Sequence, residues 1–251
     1  MLRKESIKGI IFDYGGTLDT NSVHWSEVLW DAYVKEGIPV SKQQFRDCYV
    51  FAERELAKNP LIKPEHNFLD LLRIKTDIET KYLVENKYWK TLEISRRASH
   101  EHVALRCYQH VIEVMKVSRE VVKTLAAKYP LVLVSNFYGN IHTILKDFDI
   151  DCFQEVIESS VVGVRKPDPK IFQLGIDALG LPPENTVVVG DSFSKDIVPA
   201  SSLGCQTIWM KGKGWGDETI DESVPSLILT DIKSVPSYIL TDIGDLTAGI
   251  G

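Results

Sequence analysis

Cysteine is scarce in this chain. The four present, Cys48, Cys107, Cys152 and Cys205, are scattered with no CxxC pair. That spacing excludes a cysteine zinc site and a dense disulfide framework, and it fits a reducing compartment. Long apolar runs are lacking as well. Met1-Leu-Arg-Lys4 has the charge of a signal-peptide start, but the apolar run that follows, residues 10–12, is too short for its hydrophobic region. No segment is long enough to span a bilayer, so a cytoplasmic protein with no membrane association is expected. Nor is there a basic excess. A formal net charge of -6 provides no general attraction to nucleic acid or anionic lipid, and no nucleic-acid partner is expected. What is present is ordinary for a globular protein: 251 residues, 44% hydrophobic and 25% charged. That suffices for one large core, or a main core with a smaller satellite.

Short apolar runs closed by polar or glycine residues recur at 10–12 (IIF), 131–134 (LVLV), 186–189 (TVVV), 207–210 (TIWM) and 227–229 (LIL). Near-continuous apolar runs of this length predict strands of a parallel sheet covered on both faces. Residues 118–130 and 168–180 carry apolar stripes at helical spacing and read as crossover helices. The alternation from about residue 118 onward predicts a doubly wound α/β domain. Residues 21–112 differ: they hold no convincing strand and are dense in helix formers, aromatics and charge, with turns at Gly37-Ile-Pro39 and Asn59-Pro60. The expected organisation is therefore an α/β core from residues 1–20 and 113–246, an inserted all-helical module at 21–112, and a tail at 247–251. One repeat occurs, VPSLILTDI at 224–232 and VPSYILTDI at 235–243. Two short copies make no solenoid; the first is expected as an edge strand and the second as a short helix starting near Pro236.

Ligands of open parallel sheets bind beyond the carboxyl ends of the strands. The polar residues there form a coherent set: Asp13 after the first strand, Ser135-Asn136 after LVLV, and Gly190-Asp191-Ser192 after TVVV. Asp196 is expected to cap a helix with Pro199 in its first turn. The prolines of Arg165-Lys166-Pro167-Asp168-Pro169 fix the chain where Lys166 projects. Asp13, Asp191 and Asp196 are hard oxygen ligands suited to Mg²⁺. Such a metal would screen the repulsion between an attacking carboxylate and a phosphate dianion, while Lys166 and the Ser135 or Thr17 hydroxyl hold phosphate oxygens.

On these residues the chain resembles the haloacid dehalogenase superfamily over essentially its whole length. Phe12-Asp13-x-x-Gly16-Thr17-Leu18 resembles the first motif and Val134-Ser135-Asn136 the second. Lys166-Pro167-Asp168-Pro169 resembles the third, and Gly190-Asp191-Ser192-x-x-x-Asp196 the fourth. The resemblance implies a Rossmann-like core with a helical cap after the first strand. It implies Asp13 as a nucleophile forming an aspartyl intermediate, with Lys166 and Ser135 in catalysis. Gly16, Thr17, Ser135, Asn136 and Lys166 would bind phosphate; Asp13, the Gly15 carbonyl, Asp191 and Asp196 would bind Mg²⁺. The expected substrate is a small phosphorylated metabolite.

One departure stands out. Phosphatases of this superfamily usually carry an aspartate two residues after the nucleophile as general acid and base, and here that position is Gly15. Such help is worth roughly 10²–10⁴ in rate. Three readings stay open. The first is a magnesium phosphatase restricted to good leaving groups or helped by Asp19 or His24. The second is dehalogenase-like or phosphonatase-like chemistry. The third is a non-catalytic phosphate-binding or regulatory protein. Dehalogenases of the superfamily have a fourth motif unlike Asp191 and Asp196, and phosphonate-cleaving relatives use a cap lysine. Lys35, Lys42, Lys58, Lys63, Lys75, Lys81, Lys87 and Lys90 are all available, each read most simply as a solvated helix-face charge. Lys211-Gly-Lys-Gly-Trp-Gly216 lacks the strand–loop–helix context of a nucleotide loop and is expected as a surface loop near the site.

Overall fold

The computed structural model describes residues 1–213 and 220–240. The tail expected at 247–251, the last residues assigned to the core (241–246) and the end of the glycine-rich loop (214–216) lie outside the described residues. Six strands form one parallel sheet: β1 (Gly9–Phe12), β2 (Leu131–Ser135), β3 (Glu155–Glu158), β4 (Thr186–Gly190), β5 (Gln206–Met210) and β6 (Leu227–Leu229), in the order β3-β2-β1-β4-β5-β6. The helices are α1 (Trp25–Glu36), α2 (Lys42–Lys58), α3 (Phe68–Glu85), α4 (Glu93–Ala126), α5 (Ile141–Asp147), α6 (Ser159–Val162), α7 (Lys170–Leu179), α8 (Val198–Ser202) and α9 (Val235–Ile239). The result is the doubly wound α/β fold expected, with its strand order reversing beside β1.

The apolar runs became strands because alternate residues are buried on opposite faces. Ile10, Phe12, Leu131, Leu133, Val187 and Val189 join one core, and Ile11, Val132, Val134 and Val188 join another under α7. β3 was missed. Its sequence, EVIE, has two apolar residues between glutamates, and it pairs only with β2 at the sheet edge, so little apolar surface is required of it. The two repeat copies differ as expected: the first supplies edge strand β6 and the second supplies α9, with proline in its first turn.

Helices α1, α2, α3 and the first half of α4 pack on one another. Capping boxes start α2 (Ser41 with Gln44) and α3 (Asn67 with Asp70), and Gly37 closes α1 in the left-handed region. α4 runs unbroken for 34 residues. Val103, Ala104 and Cys107 toward its start and Val121, Val122 and Leu125 toward its end join the same core, and the Ser118 hydroxyl donates to the Leu18 carbonyl at 2.6 Å. The division expected after residue 112 falls inside this helix.

Candidate active site

Asp13 leaves the end of β1 buried, and one carboxylate oxygen lies 2.5 Å from Lys166 Nζ while the other accepts from the Thr17 hydroxyl at 3.1 Å. Burial pushes its carboxyl up to about 6, against the pull of Lys166. Lys166 Nζ also sits 2.6 Å from Asp196, so one ammonium bridges two carboxylates and stays charged despite burial. Asp191 follows β4, and its backbone carbonyl is held by the Trp209 indole at 2.8 Å. Its carboxyl is raised well above the ordinary range by burial and by repulsion from Asp13 and Asp196. Oxygens of Asp13, Asp191 and Asp196 come within 4.8 Å of one another. Three hard ligands this close form a donor set that fits Mg²⁺.

Several expected residues meet at this point. Thr17 bridges Asp13 and Asp191, its hydroxyl 3.3 Å from the latter, and does not line the cavity above them. Asn136 lines the cavity, but its side-chain amide brackets the Lys166 backbone, donating to the carbonyl at 3.1 Å and accepting from the amide at 2.9 Å. Ser135 and the Gly15–Gly16 backbone also line the cavity. Asp196 does not cap a helix. The turn starts earlier, as a single π-helical turn (Phe193–Ile197) capped by Ser192, and Asp196 accepts from the Ser192 amide at 3.0 Å. Proline still falls in the first turn of α8.

Of the two residues considered as substitutes for an acid at position 15, His24 lines the cavity and Asp19 does not. Asp19 is buried with one oxygen accepting from the Gly16 amide (2.7 Å) and the other from the Trp25 indole (2.9 Å), and it holds the loop. Its carboxyl is raised to about 7 by burial, yet it does not line the cavity. His24 does line it, as the N-cap of α1, with Nδ1 accepting from the Ser26 amide. Burial and the neighbouring Lys195 and Lys75 lower it to about 4, so the ring is neutral at neutral pH. Next to it the Lys213 carbonyl accepts from the His24 amide, which puts the described part of the glycine-rich loop near the site.

The cavity of about 190 Å³ opens between the strand ends and the helical layer. Its upper wall holds a cluster that sequence reasoning missed. Lys75 is not a solvated charge: it is 4% exposed, its ammonium is paired with Glu53, and it lies 4.5 Å from the centre of the Tyr49 ring. Tyr138 donates to the same Glu53 at 2.8 Å. Burial acts to raise the Glu53 carboxyl, but Lys75 and these hydrogen bonds hold it below its ordinary value. A signal was available, because Lys75 continues the helical spacing of Phe68, Leu71 and Leu72 and belongs to the buried stripe of α3. Among the aromatics of residues 21–112, Trp25 and Tyr49 line the cavity, whereas Tyr33 and Trp89 are buried elsewhere in the core.

Comparison with known proteins agrees with this geometry. Residues 7–204 match the family described as haloacid dehalogenase-like hydrolase. The chain belongs to that family. Among its relatives, a glyceraldehyde 3-phosphate phosphatase of Methanopyrus kandleri is 27% identical over 224 residues, covering 87% of this chain and 91% of the relative. A glyceraldehyde 3-phosphate phosphatase of Pyrococcus furiosus is 41% identical over 61 residues, where the match spans about a quarter of each protein (24% and 25%). A phosphoserine phosphatase of Thermus thermophilus is 35% identical over 81 residues, 32% of each. Among solved structures, a dehalogenase crystallised as an intermediate complex superposes with a TM-score of 0.62 at 16% identity, covering 94% of this chain and 99% of that one. The magnesium-bound HAD-hydrolase YfnB of Bacillus subtilis does so at 0.57 and 18% identity, covering 94% and 99%. These structural likenesses show the haloacid dehalogenase fold. Among the described residues, no helix is long and apolar enough to cross a membrane.

Proposed function

We propose that this family member is a magnesium-dependent phosphatase of small phosphorylated metabolites, with Asp13 as nucleophile and residues 21–112 as its cap. The observation that carries this reading is the buried Asp13–Lys166–Asp196 chain beside Asp191, at the carboxyl ends of β1 and β4. Asp13, Asp191, Asp196 and the Gly15 carbonyl would hold the ion, which supplies positive charge to screen the phosphoryl oxygens. Lys166 orients Asp13 and neutralises charge beside it. Thr17 fixes the carboxylate oxygen that Lys166 does not, so that the carboxylate is held for in-line attack on phosphorus. Ser135, which lines the cavity, would hold a phosphoryl oxygen. Relatives named as phosphatases support the reaction class.

Turnover of acetyl phosphate and aryl phosphates with Mg²⁺ tests this. Asp13→Asn should fall to the blank rate, and undiminished turnover would end the reading. A Cβ on Gly15 meets no atom within 4 Å, so Gly15→Asp has room at its first side-chain atom. It should raise turnover of poor leaving groups, up to roughly 10²–10⁴-fold, by adding an acid. Because position 15 carries no side chain, a second reading follows, a non-catalytic phosphate-binding protein. It would be supported by phosphorylated ligands raising the melting temperature with no turnover.

A further inference from the structure

We propose that Lys75 is the leaving-group residue of this site: its ammonium, carried by the helical layer, stabilises the oxygen that departs from phosphorus. The inference rests on the phosphatase reading above. In-line displacement places the attacking and departing oxygens on opposite sides of phosphorus. With Asp13 on the floor at the end of β1, the departing oxygen faces the upper wall. The loop beneath offers no side chain there, since it presents Gly15 and Gly16. Lys166 is taken by Asp13 and Asp196, the Asp19 oxygens are taken by Gly16 and Trp25, and His24 is a neutral ring.

Arg165 and Lys195 also line the cavity but are exposed; among the described buried groups of its wall beside Lys166, Lys75 is the one further cation. Glu53 is its anchor, itself fixed by Tyr138, and the Tyr49 ring supports the ammonium from another side. An ammonium has three N–H donors, and among the described residues Glu53 accepts its one hydrogen bond. A buried ion pair seldom adds stability over apolar packing. Here it lines the same cavity as Asp13, Gly15, Leu71 and Leu72. A preorganised charge in a site shielded from water is worth most where negative charge develops. As the P–O bond breaks, its electron pair stays on the departing oxygen, which accepts a hydrogen bond from Lys75 Nζ and leaves as an anion that takes its proton from solvent. The substrate class this favours is phosphates of stable oxyanions: acyl, enol and aryl phosphates.

The test compares kcat/KM, which covers all steps through loss of the leaving group, for 4-nitrophenyl phosphate and phenyl phosphate with Mg²⁺. Lys75→Met keeps the stem over Tyr49 and removes the charge. It should lower kcat/KM for phenyl phosphate by about 10²-fold and for 4-nitrophenyl phosphate by less than about tenfold, with Lys75→Arg recovering part of the difference. Equal losses on the two substrates, or no loss, overturn the proposal. Should Lys75→Met melt below the assay temperature, Glu53→Gln carries the test, since it unties the ammonium but keeps it. It should also penalise phenyl phosphate more, and equal penalties overturn the proposal. Asp13→Asn separates the two claims. If it is inactive while Lys75→Met treats both esters alike, the leaving-group role alone fails; if it stays active, the phosphatase reading fails and this one with it.

Discussion

A Cβ on Gly16 would lie 2.4 Å from the Asp191 carboxylate, and its φ of +99° suits glycine, so this position is dictated by the Asp191 side chain beside it. Gly15 is under no such pressure, which is why it can be replaced in a test. Buried carboxyls elsewhere show the same dependence on neighbours. Glu79 is fully buried in the helical layer; one oxygen accepts from the Tyr33 hydroxyl at 3.0 Å and the other has no partner among the described residues. Burial raises it from 4.5 to about 7. Between those values the folded chain keeps a proton that the unfolded chain has released, so stability falls as pH rises through the window. Glu79→Gln keeps the acceptor for Tyr33 and cannot ionise. Its stability relative to wild type should therefore improve by up to about 3 kcal/mol between pH 4.5 and 7. Urea unfolding at pH 5 and pH 8 checks this, and a difference independent of pH would refute it.

α3 is the element on which the upper wall depends. Its buried stripe, Phe68, Leu71, Leu72, Lys75, Thr76, Glu79, Thr80 and Leu83, follows helical spacing throughout but is polar in its middle. Thr76 and Thr80 satisfy their hydroxyls on carbonyls one turn back, at 2.8 Å each, and Lys75 and Glu79 rely on other helices. The helix is started by Asn67, whose side chain accepts from the Asp70 amide at 2.9 Å. Asn67→Ala should cost about 1 kcal/mol, read from chemical denaturation. A change below about 0.3 kcal/mol would show that packing of Phe68 and Leu71 holds the first turn without the cap. The same stripe explains why Lys75 was read as solvated: residue type argued for water, and the spacing, which argued for burial, is decisive only once α2 is known to lie against α3.

At the scale of the molecule, the reversal of strand order beside β1 brings residues 13, 135, 166, 191 and 196 to one place, with the helical layer above them. Mg²⁺ should therefore stabilise the folded chain as a whole, by about 2.7 kcal/mol at a hundredfold excess over Kd. Asp191→Asn should abolish that shift in melting temperature, and an equal shift in the variant would refute the assignment of the ion. Much of this was legible beforehand. The apolar runs gave five of the six strands, because a strand buried on both faces must be apolar throughout, and their polar ends named the acids. β3 was hidden because its two apolar residues lie between glutamates, whereas the other edge strand, β6, is apolar throughout. The sequence by itself determined the sheet, its order of motifs and the carboxylates, since these follow from local patterns of burial and from residue chemistry. The tertiary structure alone decided that Thr17 and Asn136 hold other site residues, that Asp19 is tied to Trp25, and that Lys75 faces the cavity. Those facts depend on which distant side chains are neighbours, and hydrogen bonds and ion pairs between distant residues leave no periodicity in the chain.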